Sequence, residues 1–175
     1  LLAVDGLTPG PGDRASEALL QAAESATHAA LAELAGGDVR EAYRAFGAKP
    51  QRTRNSVEAL TRRASAGLPR VNRLTDVYNA ISVLPQVPVG GEDLLRYDGS
   101  PRLVRATGAE PFDTTADGAP VVEHPEVGEV VWCDRVGVTC RRWNWRQAAR
   151  TRLRDDTTTA LFILDALGPM TDEQL

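Results

Sequence analysis

The chain has 175 residues, 42% of them hydrophobic, with a net charge of −4 and two cysteines. That length and apolar content suit a single compact domain and exclude a disordered polyanion or a strongly basic packaging protein. No apolar run approaches the roughly 18 residues that span a membrane, and Cys133 and Cys140 form neither a disulfide framework nor a zinc spacing. A reducing cytoplasm is the expected compartment, with free thiols, no metal and no cofactor. Leu1–Val4 is too short for a signal peptide and lacks a basic start.

Leu1 to Gly12, with its Gly and Pro, reads as an irregular lead-in. Asp13 or Ser16 caps a helix running to about Ala35, with Leu19, Ala23, Ala26, Ala30 and Leu34 on one face. Gly36-Gly37 ends it. His28 on this helix has no second ligand at helical spacing and reads as a surface or packed histidine. Asp38 then caps a short helix with Val39, Ala42, Tyr43 and Phe46 inward, and Gly47 stops it. Lys49 to Arg54 is a linker.

Asn55-Ser56-Val57-Glu58 offers a capping box for a helix to about Ala66, closed by Gly67 and Pro69. A further helix runs from about Asn72 to Leu84, with Leu74, Val77, Tyr78 and Ile81 expected inward. Asp76, Asn79 and Ser82 share a different face of it, suited either to line a pocket or, more commonly, to bond a neighbouring loop.

Past Pro85 and Pro88 the pattern changes. Val89-Gly90-Gly91 reads as a tight turn whose bare backbone admits another backbone or a ligand. Arg102 to Ala106 alternates as a strand. Thr107 to Gly118 is loop-like with a hairpin signal at Asp117-Gly118, and Val121 to Glu123 is a short strand. His124, before Pro125, is a turn residue or, less commonly, a general base. Glu129 to Asp134 and Val138 to Trp143 form a hairpin around Asp134-Arg135-Val136-Gly137, with Gly137 as the left-handed bulge residue. In that register Cys133 opposes Thr139, and the two cysteines face opposite ways.

Cys140 to Arg154 holds two of the three tryptophans and six arginines without an acid. Trp and Arg are favoured at recognition sites, and the guanidinium fork suits phosphate or carboxylate. The alternative is a hairpin arm with buried tryptophans and solvated arginines. A second basic block runs from Arg52 to Arg73, and an acidic run from Glu110 to Asp134 lies between the two. Together the blocks form one positive face for a polyanion, or simply solvated charge. Ala160 to Leu167 reads as a buried strand that carries Asp165, an acid in need of a partner or a purpose. Gly168 to Leu175 is a fraying tail.

The sequence contains no P-loop, dinucleotide fingerprint, His-Glu-x-x-His helix or nucleophile elbow. The expected fold is α+β: a mixed, largely antiparallel β-sheet core packed with helices, preceded by an N-terminal helical segment. Residues 1–50 form that segment and residues 51–175 the core of one compact, monomeric domain.

Three stretches carry a resemblance. Leu74-Thr75-Asp76-Val77-Tyr78-Asn79-Ala80-Ile81-Ser82, Val87-Pro88-Val89-Gly90-Gly91-Glu92-Asp93 and Leu103-Val104-Arg105-Ala106-Thr107-Gly108-Ala109-Glu110 resemble the B3/4 domain. This is the tRNA-editing domain within the β subunit of bacterial phenylalanyl-tRNA synthetase, and the chain is most similar to free-standing proteins made of that domain alone. The resemblance covers about Asn55 to Leu167 and implies hydrolysis, in trans, of the ester joining a wrong amino acid to tRNA. In the synthetase domain that amino acid is tyrosine. A family histidine is Gly90 here, the family's specificity Glu aligns with Asp165, and Trp143-Asn144-Trp145 replaces a glycine-rich stretch, so the pocket is remodelled.

On this reading Gly90, Gly91 and Asn79 serve catalysis. Asp165, Asp76, Arg105, Arg141, Trp143, Asn144 and Trp145 hold the substrate, and Arg62, Arg63, Arg142, Arg146 and Arg150 hold the tRNA. Asp165 is expected to pair with arginine or to read a polar group of the amino acid. Two other classes stay open: a non-catalytic tRNA- or RNA-binding module, and a pocket protein for a free aromatic amino acid.

Overall fold

A computed structural model describes residues 1–30, 37–167, 171 and 173. Helix α1 (Arg14–Ala30) starts at Asp13, whose carboxylate accepts from the Ala15 and Ser16 N–H groups at 2.9 Å each. Its buried side is Ser16, Leu20 and Ala23, while Leu19 is exposed, so the inward stripe is rotated from the one the spacing predicts. The expected end of this helix near Ala35, its Leu34, the His28 side chain and most of the 168–175 tail lie outside the described residues. Helix α2 (Gly37–Ala45) turns Val39, Ala42 and Tyr43 inward as its pattern predicts, with Phe46 just beyond it.

Helix α3 (Ser56–Ala64) is capped by Asn55, which accepts from the Glu58 N–H at 2.9 Å. Helix α4 (Arg73–Val83) is capped by Asn72. Its buried face is the polar one: Asp76, Asn79 and Ser82 are inside, and Ile81 is 44% exposed. Two of the three polar side chains bind loops, which explains the inversion. Ser82 Oγ donates to the Val87 carbonyl at 2.7 Å, and Asp76 accepts from the Val71 N–H at 2.8 Å. Burial of short polar groups is cheap once each is bonded. Helices α1, α3 and α4 share a core of Leu20, Ala23, Ala64, Leu68, Ala80 and Val83.

Three antiparallel sheets follow. The first has the order β1-β9-β2, from β1 (Leu2–Val4), β9 (Ala160–Leu164) and β2 (Val89–Asp93). Two expectations are corrected here: the lead-in contributes a strand, and Val89-Gly90-Gly91 is strand rather than turn. Gly91 is required by packing, because a Cβ there would lie 2.7 Å from Leu153 Cδ1 and 2.9 Å from Tyr78 Cδ1. The second sheet, β3-β6-β7-β8, uses β3 (Arg102–Arg105), β6 (Val130–Cys133), β7 (Val138–Arg141) and β8 (Arg146–Gln147). The third is the hairpin of β4 (Phe112–Ala116) and β5 (Ala119–Glu123), whose first strand the sequence reading leaves as loop.

The β6–β7 register also differs from expectation. Trp132 opposes Cys140 and Cys133 opposes Val138, with an irregularity between Trp132 and Cys133. Gly137 is not left-handed. It is needed because a Cβ would sit 2.3 Å from the Pro111 carbonyl oxygen. Both cysteines are buried free thiols, as expected. Among the described residues, no helix is long and apolar enough to cross a membrane. The α+β class with an antiparallel core stands as read from the sequence.

Candidate functional site

The turn between β7 and β8 builds the site. Arg142 and Trp143 both have left-handed backbone, with φ of 47° and 66°. Side chains seldom adopt that region, least of all in succession. β6 holds them there: Trp143 N–H donates to the Val130 carbonyl at 2.7 Å, and Arg142 N–H to Glu129 Oε1 at 3.1 Å. The consequence is a division of the turn. Trp143 is thrown inward and Arg142 outward, where its guanidinium lies 4.7 Å from the Trp145 ring. Helix α3 docks on the same turn through the Ser56 N–H, which donates to the Asn144 carbonyl at 3.2 Å.

A cavity of about 230 Å³ opens beneath this turn. Tyr78, Trp132, Trp143 and Trp145 give it aromatic walls, while Asn79, Asn144 and Asp165 bring polar groups. Asp165 lies just past β9 and is 8% exposed. Its Oδ1 accepts from the Trp143 indole N–H at 2.7 Å. Among the described residues no arginine is within ion-pair distance of it, so the expected arginine partners, Arg105, Arg141 and Arg142, are replaced by an indole. Burial pushes this carboxyl up to about 7, against smaller opposing contributions from Asn144 and Trp143. Tyr43, from α2, donates to Asn144 Oδ1 at 2.6 Å and packs against the Trp143 ring. That bond fixes the amide so that its nitrogen is the end left over.

Six buried side-chain polar atoms have no hydrogen-bond partner among the described residues, and four of them belong to residues lining this cavity: Ser56 Oγ, Glu92 Oε1, Trp132 Nε1 and Asn144 Nδ2. Orphaned buried polar atoms are rare and costly, so their concentration in one place calls for a reason. Glu92 is fully buried in β2, and its other oxygen accepts from the Tyr97 hydroxyl. Burial pushes this carboxyl, too, up to about 7.

The remaining predicted site residues divide. Asn79, Gly90, Trp143, Asn144, Trp145, Arg146 and Asp165 all line the cavity. Gly91 lies behind the wall, its carbonyl accepting from Gln147 Nε2 at 2.9 Å. Asp165 N–H donates to the Pro88 carbonyl. The β2–β9 alternation then pairs Gly90 with Ile163, and the Gly90 N–H is spent within the sheet. Asp76 bonds its own loop away from the cavity. Arg105 is exposed on β3, with a contact to the Gly128 carbonyl. Arg141 is buried in ion pairs with Glu129 and Glu123. Arg150 chelates the buried Asp134 at 2.8 and 2.9 Å, a structural role. Arg62 pairs with Glu58, and Arg63 is exposed, with no ion pair among the described residues. The two basic blocks meet where Arg142 donates to Thr53, whereas Arg70 and Arg73 turn away toward acids on and before α1.

Tyr43, Ser56, Glu92 and Trp132 were not singled out from the sequence. Tyr43 reads as a core residue at helical spacing, and the neighbourhood of Trp132 depends on the shifted β6–β7 register. Among the described residues, no cluster of three or more His, Cys, Asp or Glu side chains is placed to hold a metal ion. A family model described as the B3/4 domain matches residues 38–173. No curated protein matches the chain.

Proposed function

Because the chain belongs to the B3/4 domain family, a domain found in the β subunit of phenylalanyl-tRNA synthetase, we propose that it is a free-standing aminoacyl-tRNA deacylase. It hydrolyses the ester of a mischarged aromatic or related amino acid in trans. The observation that carries this reading is the aromatic cavity with Asn79, Asn144 and Asp165 among its lining residues. Aromatic walls suit a ring, and polar side chains among them suit a ligand with a polar group to match.

In this reading Asp165 reads a polar group on the amino-acid side chain, with the Asn144 amide beside it. Asn79, whose side chain makes no hydrogen bond among the described residues, faces the ester and polarises its carbonyl. Glu92 takes the place of the family histidine as the group that accepts a proton from water, since a base titrating near 7 is matched to neutral pH. Water oxygen bonds to the ester carbonyl carbon, and the carbon–oxygen bond to the ribose breaks. Glu92 passes the proton it took to the ribose oxygen, and water's second proton goes to solvent as the amino acid leaves as its carboxylate.

A second reading, an RNA-binding module without turnover, is favoured by one observation: among the described residues no histidine lines the cavity. A panel of tRNAs charged with cognate and non-cognate aromatic amino acids separates the two. Release of amino acid from at least one non-cognate pair, faster than from its cognate, is the expected result. Salt-sensitive tRNA binding with no release from any pair overturns the enzyme and leaves the module. Binding of free aromatic amino acid with no affinity for tRNA overturns both.

A further inference from the structure

A second recess, of about 260 Å³, lies on the side of α3 away from the aromatic cavity. Ser56 and Leu60 of α3 line the cavity, whereas Glu58 and Arg62, two positions on in each case, line the recess. Four arginines surround it: Arg40 and Arg44 from α2, Arg54 from the linker, and Arg62. One acid lies among them. Glu58 is 4% exposed and takes Arg40 at 2.8 Å, Arg62 at 3.1 Å and Arg54 at 3.8 Å. Four positive charges against one negative leave three in excess, on a chain whose net charge is −4.

The arrangement is built rather than accidental. Glu58 is fixed at the start of α3 by the Asn55 cap, and it gathers three long side chains that would otherwise spread into solvent. One carboxylate satisfies one guanidinium, so the others are held close to each other with N–H groups to spare. Arg44 makes no ion pair among the described residues. Along the same linker, Lys49, Arg52 and Arg142 line a second recess together with Glu126 and Glu129, three positive charges against two negative, and neither Lys49 nor Arg52 is ion-paired among the described residues. Adjacent cradles on one segment fit a ligand that repeats its negative charge along a line, not a lone anion.

We infer that the Arg40–Arg44–Arg54–Arg62 cluster is a binding site for a backbone phosphate of RNA, with the Lys49–Arg52 recess beside it taking a neighbouring phosphate. The inference rests on the tRNA-directed reading above and deepens it. The cluster sits a helix width, about 10 Å, from the cavity. It therefore grips the strand a step or more away from the acylated end and contributes to affinity rather than to the chemical step.

The test is the double variant Arg44→Gln/Arg54→Gln, which leaves Arg40 and Arg62 to hold Glu58, with Arg14→Gln on α1 as control. Uncharged tRNA, a short hairpin copying its acceptor stem, and polyglutamate are titrated against each protein across a series of salt concentrations. The expected result is weaker RNA binding, with the slope of log affinity against log salt flattened by about 0.8 for one lost phosphate contact. The control keeps the parental slope, and the single-turnover release rate at saturating protein does not change. An unchanged slope in a folded double variant overturns the inference, as does a parent without RNA affinity. Loss of polyglutamate binding with RNA binding intact assigns the cluster to an acidic protein instead. The two proposals fail separately: release of amino acid with an unaltered slope removes the cluster and keeps the enzyme. A flattened slope without release removes the enzyme and keeps the cluster.

Discussion

Asp165→Asn tests the cavity from the side of stability as well as substrate choice. The carboxyl is held at about 7 in place of the ordinary 3.8, with burial as the leading cause. Between those values the folded protein keeps a proton that the unfolded chain has released. Stability therefore falls as pH rises through this window and levels off once the folded carboxyl has ionised. The full penalty for this one group is roughly 4 kcal/mol, and about 2.5 kcal/mol of it develops between about pH 5 and about pH 8. Asparagine has nearly the same shape, and its carbonyl oxygen still accepts from the Trp143 indole, but it never ionises. The variant should thus gain on the parent as pH rises, with the gap in unfolding free energy widening by roughly 2.5 kcal/mol across that range. Urea denaturation followed by tryptophan fluorescence at the two pH values measures this, and Glu92, titrating alike in both proteins, cancels. A gap that does not change with pH, or one that narrows, refutes the account of Asp165 as a buried carboxyl without a cationic partner. The same variant, assayed on charged tRNAs, should shift which amino acids are released. An unaltered profile in a folded protein would remove its selective role.

Glu92→Gln should abolish release of amino acid while leaving tRNA affinity intact. In the parent, single-turnover release should climb as pH rises through about 7, where Glu92 ionises; a flat profile would count against the base. Tyr43→Phe removes the bond that fixes Asn144 and should cost about 1 kcal/mol, with slower release at saturating protein. A loss of stability with no kinetic change would show that Asn144 is held without Tyr43. Gly91→Ala should destabilise by about 1–3 kcal/mol through overlap with Leu153 and Tyr78. Gly90→Ala meets only Gln147 Nε2 at 3.4 Å, so it should fold normally and narrow the cavity; equal melting points for the two would contradict the packing. Arg150→Gln should cost roughly 3 kcal/mol by stranding the buried Asp134 carboxylate, and should leave the salt dependence of RNA binding unchanged.

The parts of the fold legible in the sequence are those with local causes. Asn55 and Asn72 announce their helices because a cap needs only its own side chain and an N–H three residues on. The β6–β7 hairpin is visible because turn chemistry and alternation lie within a dozen residues. The misreadings have non-local causes. The polar face of α4 is not one of them: Asp76 and Ser82 bond loops only five residues away, the commoner of the two readings of that face. Gly90-Gly91 reads as a turn because nothing nearby reveals that Leu153 and Tyr78 press on that backbone. Asp165 reads equally as an arginine's partner or as a pocket acid beside a tryptophan, and its hydrogen bond comes from an indole delivered by two left-handed residues that carry no glycine signal. The cavity itself gathers residues from Ser56 to Asp165, and only the family resemblance brought several of them together beforehand.

The place of β9 has a consequence for how the protein forms during synthesis. This strand follows all the others in the chain, yet it is the middle strand of its sheet, and among the described residues β1 and β2 each have it as their only ladder partner there. Neither of them can complete its pairing until β9 has left the ribosome. Until then the Leu2–Val4 and Val89–Asp93 edges are open, and Trp132 and Trp143 lack Leu161 and Ile163 as neighbours. The helical layer of α1, α3 and α4 needs none of this and can assemble first. The nascent chain thus passes through a stage with a formed helical half and an unfinished, sticky sheet, the kind of intermediate that chaperones bind. Asp165, which helps to line the cavity, follows directly on that strand, so the cavity wall is incomplete until it has been made.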